Sequence, residues 1–232
     1  IFRATDEPMK IYVLLLDMSQ PGVRIESCLA RHTVTGTETV NSMAHRKGAF
    51  AAVNGDYWSP YGVPQGLTII DGQIAIAPKR RTAFAIQKDG TPVIDMWTSN
   101  WSWETEAVAP NGERRWIRLL NSDCNQGWLC LYNELWGRRS RGNSVSPVTE
   151  LVINSDMIVE EVCVDRPGIS IPDDGYVLTG RDESGEWLAA NFAVGDKVGI
   201  DIKTDKPIGN LKHAIRAGPR ILQSSEEHTS EL

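Results

Sequence analysis

The sequence predicts an α+β fold, mostly antiparallel sheet with few helices. Short apolar runs recur along the chain, separated by turns such as Pro21-Gly22, Asp71-Gly72, Asp89-Gly90, Asp174-Gly175 and Gly195-Asp196. Strand-turn-strand units of this kind pair as antiparallel neighbours. Only two stretches carry helical spacing, so few helices are available to cover the sheet. The length of 232 residues and the 41% hydrophobic fraction allow a sizeable core. No linker or fixed-period repeat divides it, so residues 1–222 are expected to form one domain.

In chain order, Lys10–Asp17 reads as a strand and Pro21-Gly22 as its turn. Val23–Cys28 alternates apolar and polar residues and reads as the next strand. A helix is expected over Glu38–Arg46, with Val40, Met43 and Ala44 on its apolar face and Lys47-Gly48 at its end. Phe50–Val53 is a short apolar run, suited to a buried strand or to a helix end. Ile69-Ile70 and Ile74–Ile76 flank Asp71-Gly72, a dipeptide suited to a type I′ hairpin turn. Thr82–Gln87 and Val93–Trp97 flank Asp89-Gly90 in the same way. Glu104–Arg115 is polar and reads as a loop, followed by a strand over Trp116–Asn121. Asn133–Pro147, rich in Arg, Gly and Ser, reads as a flexible excursion. Strands are then expected at Val148–Ile153, Met157–Val164, Gly175–Thr179 and Lys197–Ile202, with a short helix over Ser184–Asn191.

Composition narrows the function. A net charge of −6 argues against a nucleic-acid partner. No apolar run approaches the ~20 residues of a membrane-spanning helix. The four cysteines and four histidines match no zinc spacing, and no metal or cofactor is expected. Cys124 and Cys130 bracket a polar loop and are placed to close a small disulfide ring, which would suit an exported protein. Cys28 and Cys163 lie in strand-like runs and read as buried thiols. Of the eight tryptophans, Trp101 and Trp103 alternate and would share a strand face, for core packing or for ligand stacking.

The most informative stretch is Ala52-Val-Asn-Gly-Asp-Tyr-Trp58, followed by Gly62-Val-Pro-Gln-Gly-Leu67 and Ile70-Asp-Gly72. Asn54, Gly55 and Asp56 form a polar triplet at the end of an apolar run, with aromatic walls at Tyr57 and Trp58. An amide and a carboxylate bind hydroxyls, and rings cover a sugar face. The same triplet also makes an ordinary turn. Later, Arg216-Ala-Gly-Pro219 follows a short strand-like run. Arg216 is suited to grip a phosphate or carboxylate, or to close an ion pair at a strand end. Gly218 is suited to a close backbone approach.

In order and spacing these stretches, together with Phe84-Ala-Ile-Gln-Lys-Asp-Gly90, resemble the phosphodiester glycosidase family, over about Asp17 to Leu222. That family includes the N-acetylglucosamine-1-phosphodiester α-N-acetylglucosaminidases. Tyr57-Trp58 stands where two Phe or Tyr-Phe are commoner in the family. Arg216-Ala217 stands where the family has glycines. The resemblance implies a glycosidase acting on a glycosyl phosphodiester or related cell-surface glycan, outside the cytoplasm. It implies Asp56 and Asn54 as catalytic residues, and Gly55, Tyr57, Trp58, Gln65, Gly66, Arg216 and Gly218 as substrate-binding ones. A non-catalytic carbohydrate-binding or cell-envelope module on the same fold is the second reading. The family's later Gly-rich segment is not found, so the domain is expected to lack its C-terminal part. Ser225-Glu-Glu-His-Thr-Ser-Glu-Leu232 reads like a translated sequencing adapter, and residues 223–232 are expected to be non-native or a disordered tail.

Overall fold

The computed structural model describes residues 13–57, 59, 62–100, 103–140, 148–166, 168–218 and 220, and the backbone of 222–223 and 226–227. Twelve strands form two sheets. β1 (Thr68–Ile70), β2 (Gln73–Ile76), β3 (Ala83–Gln87), β4 (Pro92–Asp95) and β12 (Leu211–Arg216) make a five-stranded sheet in the order β2-β1-β12-β3-β4. All its pairs are antiparallel. The second sheet contains β5 (Glu104–Val108), β6 (Arg114–Leu120), β7 (Leu129–Asn133), β8 (Val148–Ile153), β9 (Val159–Val164), β10 (Tyr176–Arg181) and β11 (Gly199–Lys203). Its order is β11-β5-β6-β7-β10-β8-β9, and only β6 and β7 run parallel. Two short helices, α1 (Val40–Lys47) and α2 (Glu183–Asn191), and one 3-10 turn (Ala30–His32) complete the described residues. The fold is therefore α+β with few helices, as the turn pattern predicts. Residues 222–223 and 226–227 pair as β13 (Leu222–Gln223) and β14 (Glu226–Glu227). Among the described residues no helix is long and apolar enough to cross a membrane.

Strand alternation separates the core into layers. On β10, Leu178 packs with Leu151, Leu131, the α2 residue Leu188 and Phe192 just beyond the helix. Its neighbour Val177 turns to the other face, among Tyr132, Cys130, Trp136 and the β2 residues Ala75 and Ile76. A third cluster, with Ile69, Ala83, Ala85, Trp97 and Leu211, lies on the five-stranded sheet. Two buried asparagines tie the sheets together. Asn121 Nδ2 donates to Ala75 O at 2.9 Å and to Asn133 Oδ1 at 2.7 Å, and Asn133 Nδ2 donates to Ile74 O at 2.9 Å. Each bond satisfies a group that would be costly to bury unpaired.

The Asp71-Gly72 turn has φ of 49° and 88°, both positive as a type I′ turn requires. α1 begins with the Thr39 hydroxyl accepting from Ser42 N at 3.2 Å and ends at Gly48 in the left-handed conformation, φ 62°. Cys124 and Cys130 form a disulfide. Cys163 is buried, whereas Cys28 is only half-buried, beside Arg46.

Several expectations fail. Glu104–Arg115 is a hairpin, not a loop. Thr105 and Ala107 point inward at 0% exposure, while the charged alternates face solvent. Asn111-Gly112 turns the chain, and Ala109 N donates to Glu113 O. Leu129–Asn133, which the polar surroundings obscure, is a fully buried strand. Val13–Asp17 and Val23–Cys28 join no ladder, and residues 10–12 lie outside the described ones. Phe50–Val53 is neither buried nor paired: Phe50 is 100% exposed and Val53 88%. Apolar runs become strands when a neighbouring strand takes up their N–H and C=O groups. Among the described residues no such neighbour adjoins these runs.

Candidate functional site

The residues around Asp56 meet the end of β12 across 160 positions of sequence. The backbone makes the junction first: Asp56 N donates to Arg216 O at 3.1 Å. Asp56 adopts φ 55°, a left-handed conformation that carboxylate and amide residues tolerate better than most. That turn aims its side chain back at the following loop. Oδ1 accepts from Tyr57 N at 2.6 Å, and Oδ2 accepts from Gln65 N at 3.0 Å and Gly66 N at 3.1 Å. Arg216 Nη1 donates to Oδ1 at 3.3 Å, and the guanidinium carbon lies 5.1 Å from the Tyr57 ring centroid.

The ion pair is nearly closed to solvent, with the Asp56 side chain 4% exposed and that of Arg216 13%. Burial raises the Asp56 pKa, and the N–H donors and Arg216 oppose that shift without cancelling it. With four donors on two oxygens, the carboxylate is largely spent on holding the loop and the guanidinium in place. Arg216 Nε is buried without a partner.

Two glycines make the close contacts possible. A Cβ at Gly66 would stand 2.2 Å from Arg216 Cδ, and one at Gly55 would stand 2.4 Å from Ile215 Cδ1. The arginine stem thus runs directly over the Gly66 backbone.

Of the residues singled out from sequence, the structure brings together Gly55, Asp56, Tyr57, Gln65, Gly66 and Arg216. Gln65 contributes through its backbone N–H, its residue being exposed. Asn54 is exposed on the same loop. Gly218 makes no close approach, since a Cβ there would meet nothing within 4 Å. Trp58 and Pro219 lie outside the described residues. Tyr57 is 60% exposed, so the cluster opens to solvent on its ring side. A cavity of about 700 Å³, lined by His32, Thr33, Glu134, Arg138, Ser170 and Asp173 among others, shares no residue with this cluster.

A second buried polar group escaped the sequence reading. His213 is 2% exposed, and its Nδ1 lies 3.3 Å from Ser27 Oγ, which donates to Ile69 O. Its Nε2 lies 3.5 Å from Asp71 Oδ1. Burial lowers the His213 pKa, opposed by Asp71. A lone histidine in a strand gives no sequence signal for such a contact.

No protein-family model matches the chain, and neither does any curated protein. Solved structures share its fold. A hypothetical protein from Synechocystis superposes with a TM-score of 0.70 at 19% identity, over 92% of this chain and 40% of its own. A protein from Burkholderia pseudomallei K96243, described as a "Putative exported protein", superposes with a TM-score of 0.68 at 22% identity, over 88% of this chain and 48% of its own. The chain therefore spans less than half the length of either protein.

Proposed function

We propose that the chain is a phosphodiester glycosidase-like hydrolase domain that cleaves a glycosyl phosphodiester or a related cell-surface glycan. One observation carries the reading. The stretches on which the family resemblance rests meet at the 3.3 Å Asp56–Arg216 pair. In hydrolysis of a glycosyl phosphodiester, a water oxygen bonds to the anomeric carbon and loses its proton to solvent as the bond from that carbon to the phosphoryl oxygen breaks, and the phosphate monoester departs as a stable anion. Such a leaving group needs little protonation and benefits from a fixed cation. Arg216 supplies that cation to the phosphate oxygens, with N–H donors beyond the one given to Asp56. Asp56 keeps the guanidinium aimed and contributes negative charge beside a developing oxocarbenium ion. Tyr57 covers a sugar face, and the Asn54 amide binds hydroxyls. The reading puts the domain outside the cytoplasm. The Cys124–Cys130 disulfide and the likeness to a protein described as exported support that location.

A carbohydrate-binding module is the second reading, favoured by the four donors already on the Asp56 carboxylate. The test is to incubate the protein with methyl α-N-acetylglucosaminyl phosphodiester and follow release of reducing sugar. Hydrolysis that falls ~100-fold or more in Arg216→Gln supports the enzyme, since a lost transition-state donor costs about that much. Saturation-transfer NMR that detects bound sugar without turnover supports the module. Neither signal refutes both readings.

A further inference from the structure

We propose that the seven-stranded sheet carries a second binding site, a Trp116–Arg118–Trp128 platform that takes an acidic glycan. The Arg118 guanidinium carbon lies 3.7 Å from the Trp116 ring centroid and 5.9 Å from that of Trp128. Both indoles thus lie within cation–π reach of one guanidinium. Trp116 is itself fixed, with Nε1 donating to Trp103 O at 3.0 Å. Trp128 lies inside the Cys124–Cys130 ring, and its backbone N–H donates to Asn125 O at 3.2 Å.

What is absent around Arg118 matters as much. Among the described residues no hydrogen bond or ion pair engages its guanidinium. On the facing strand β5, Glu106 pairs with Arg114 and Lys203, and Glu104 accepts from Asn100 Nδ2 at 2.9 Å. The β6–β7 register also shifts between Ile117 and Leu119, so Arg118 sits at a break in the regular ladder. Arg118 is therefore a solvent-facing fork stacked on Trp116, with its donors unspent and apolar ring surface beside it.

That combination suits a carboxylated or phosphorylated sugar. The fork takes the anion with two parallel bonds, and the indole surface takes the apolar face of the ring. With a net charge of −6, the chain as a whole repels polyanions, so general attraction would not produce this binding. None of these residues belongs to the Asp56 cluster, so the proposal stands apart from the hydrolase reading.

The experiment is affinity electrophoresis and calorimetry of the protein with polygalacturonate, hyaluronate and glycerol-phosphate teichoic acid. Amylose and poly-glutamate serve as neutral and peptide controls. At least one acidic glycan should bind, amylose and poly-glutamate should not, and Arg118→Gln should weaken binding ~10-fold or more. Arg118→Lys should also weaken it, because an ammonium keeps the charge but neither stacks nor forks. Near-UV circular dichroism and an intact disulfide confirm that each variant folds. Three outcomes each overturn the proposal: no acidic glycan binds, poly-glutamate binds equally well, or Arg118→Gln binds as wild type does.

Discussion

Gly66→Ala tests the geometry of the Asp56 cluster through one methyl group. The new carbon would stand 2.2 Å from Arg216 Cδ and 2.7 Å from its Cβ and Cγ. A flexible side-chain tip would swing away, but Cβ is fixed to the β12 backbone. Relief therefore requires moving the strand or ejecting the arginine stem. Gly66 does not occupy a left-handed conformation, so the effect is steric rather than dihedral. Overpacking of this kind costs about 1–3 kcal/mol. Ejecting the stem also takes Nη1 off a carboxylate that is 4% exposed, and breaking a buried pair costs up to ~3–5 kcal/mol. Three N–H donors remain on Asp56 to soften that loss. The alanine also stabilises by restricting the unfolded chain, by about 0.4–1 kcal/mol. The net expectation is a loss of about 2–4 kcal/mol, or roughly 1 M in urea midpoint at a slope of ~2–3 kcal/mol/M. The cost should shrink in an Arg216→Ala background, which removes the Cδ and Cγ contacts but keeps the one to Cβ at 2.7 Å, and fall further in Arg216→Gly, giving a graded coupling in the double-mutant cycles. A midpoint for Gly66→Ala within ~0.2 M of wild type, given that slope, would show that the stem does not lie over Gly66.

Further perturbations test other parts of the structure. Replacing Cys124 and Cys130 by Ser should lower stability by about 2 kcal/mol, the chain-entropy value for so short a ring, measured by urea titration with and without reductant. His213 has a lowered folded pKa, so its unfolded form binds protons more readily. Stability should therefore fall as pH drops below the ordinary value of 6.5 and level off once the folded pKa is passed. His213→Gln should flatten that slope in a pH series of thermal melts, and an unchanged slope would rule out His213 as its source. Glu38 also loses stability as pH falls, but in a lower window. The Arg46 side chain, with help from Arg31 N and Ser42, holds its pKa down to about 2, so its contribution is full above the ordinary 4.5 and lost as pH falls toward 2. NMR titration of the Glu38 carboxyl carbon reads that value directly.

The parts of the fold written in local chemistry were legible. Asp71-Gly72 and Asp89-Gly90 mark hairpins because few other residues accept positive φ. Val148–Ile153 stands as a strand with the same bounds in sequence and structure. The polar hairpin over residues 104–115 was not legible, because charged alternates masked the inward Thr105 and Ala107. Phe50–Val53 failed in the other direction: its composition suits a strand, yet strand formation depends on a partner that its own residues do not encode. In the site, side-chain chemistry pointed to Asp56 and Arg216. The donors that occupy the Asp56 carboxylate are mostly backbone N–H groups, which every sequence possesses alike. Trp116 and Arg118 left a trace in their two-residue spacing. Trp128 did not, since its approach depends on the disulfide ring.

That ring also bears on how the protein is made. Cys124 and Cys130 are six positions apart. They emerge from a ribosome or translocon almost together, before Cys163 exists in the growing chain. A competing ring from Cys28 to Cys124 would be roughly sixteen times longer and about 2.5 kcal/mol costlier to close. The native bond therefore wins over Cys163 by order of arrival and over Cys28 by loop entropy. It forms beside the short crossover that turns β6 into its parallel neighbour β7, so oxidation fixes that connection before β8, β9 and β10 arrive to dock against it.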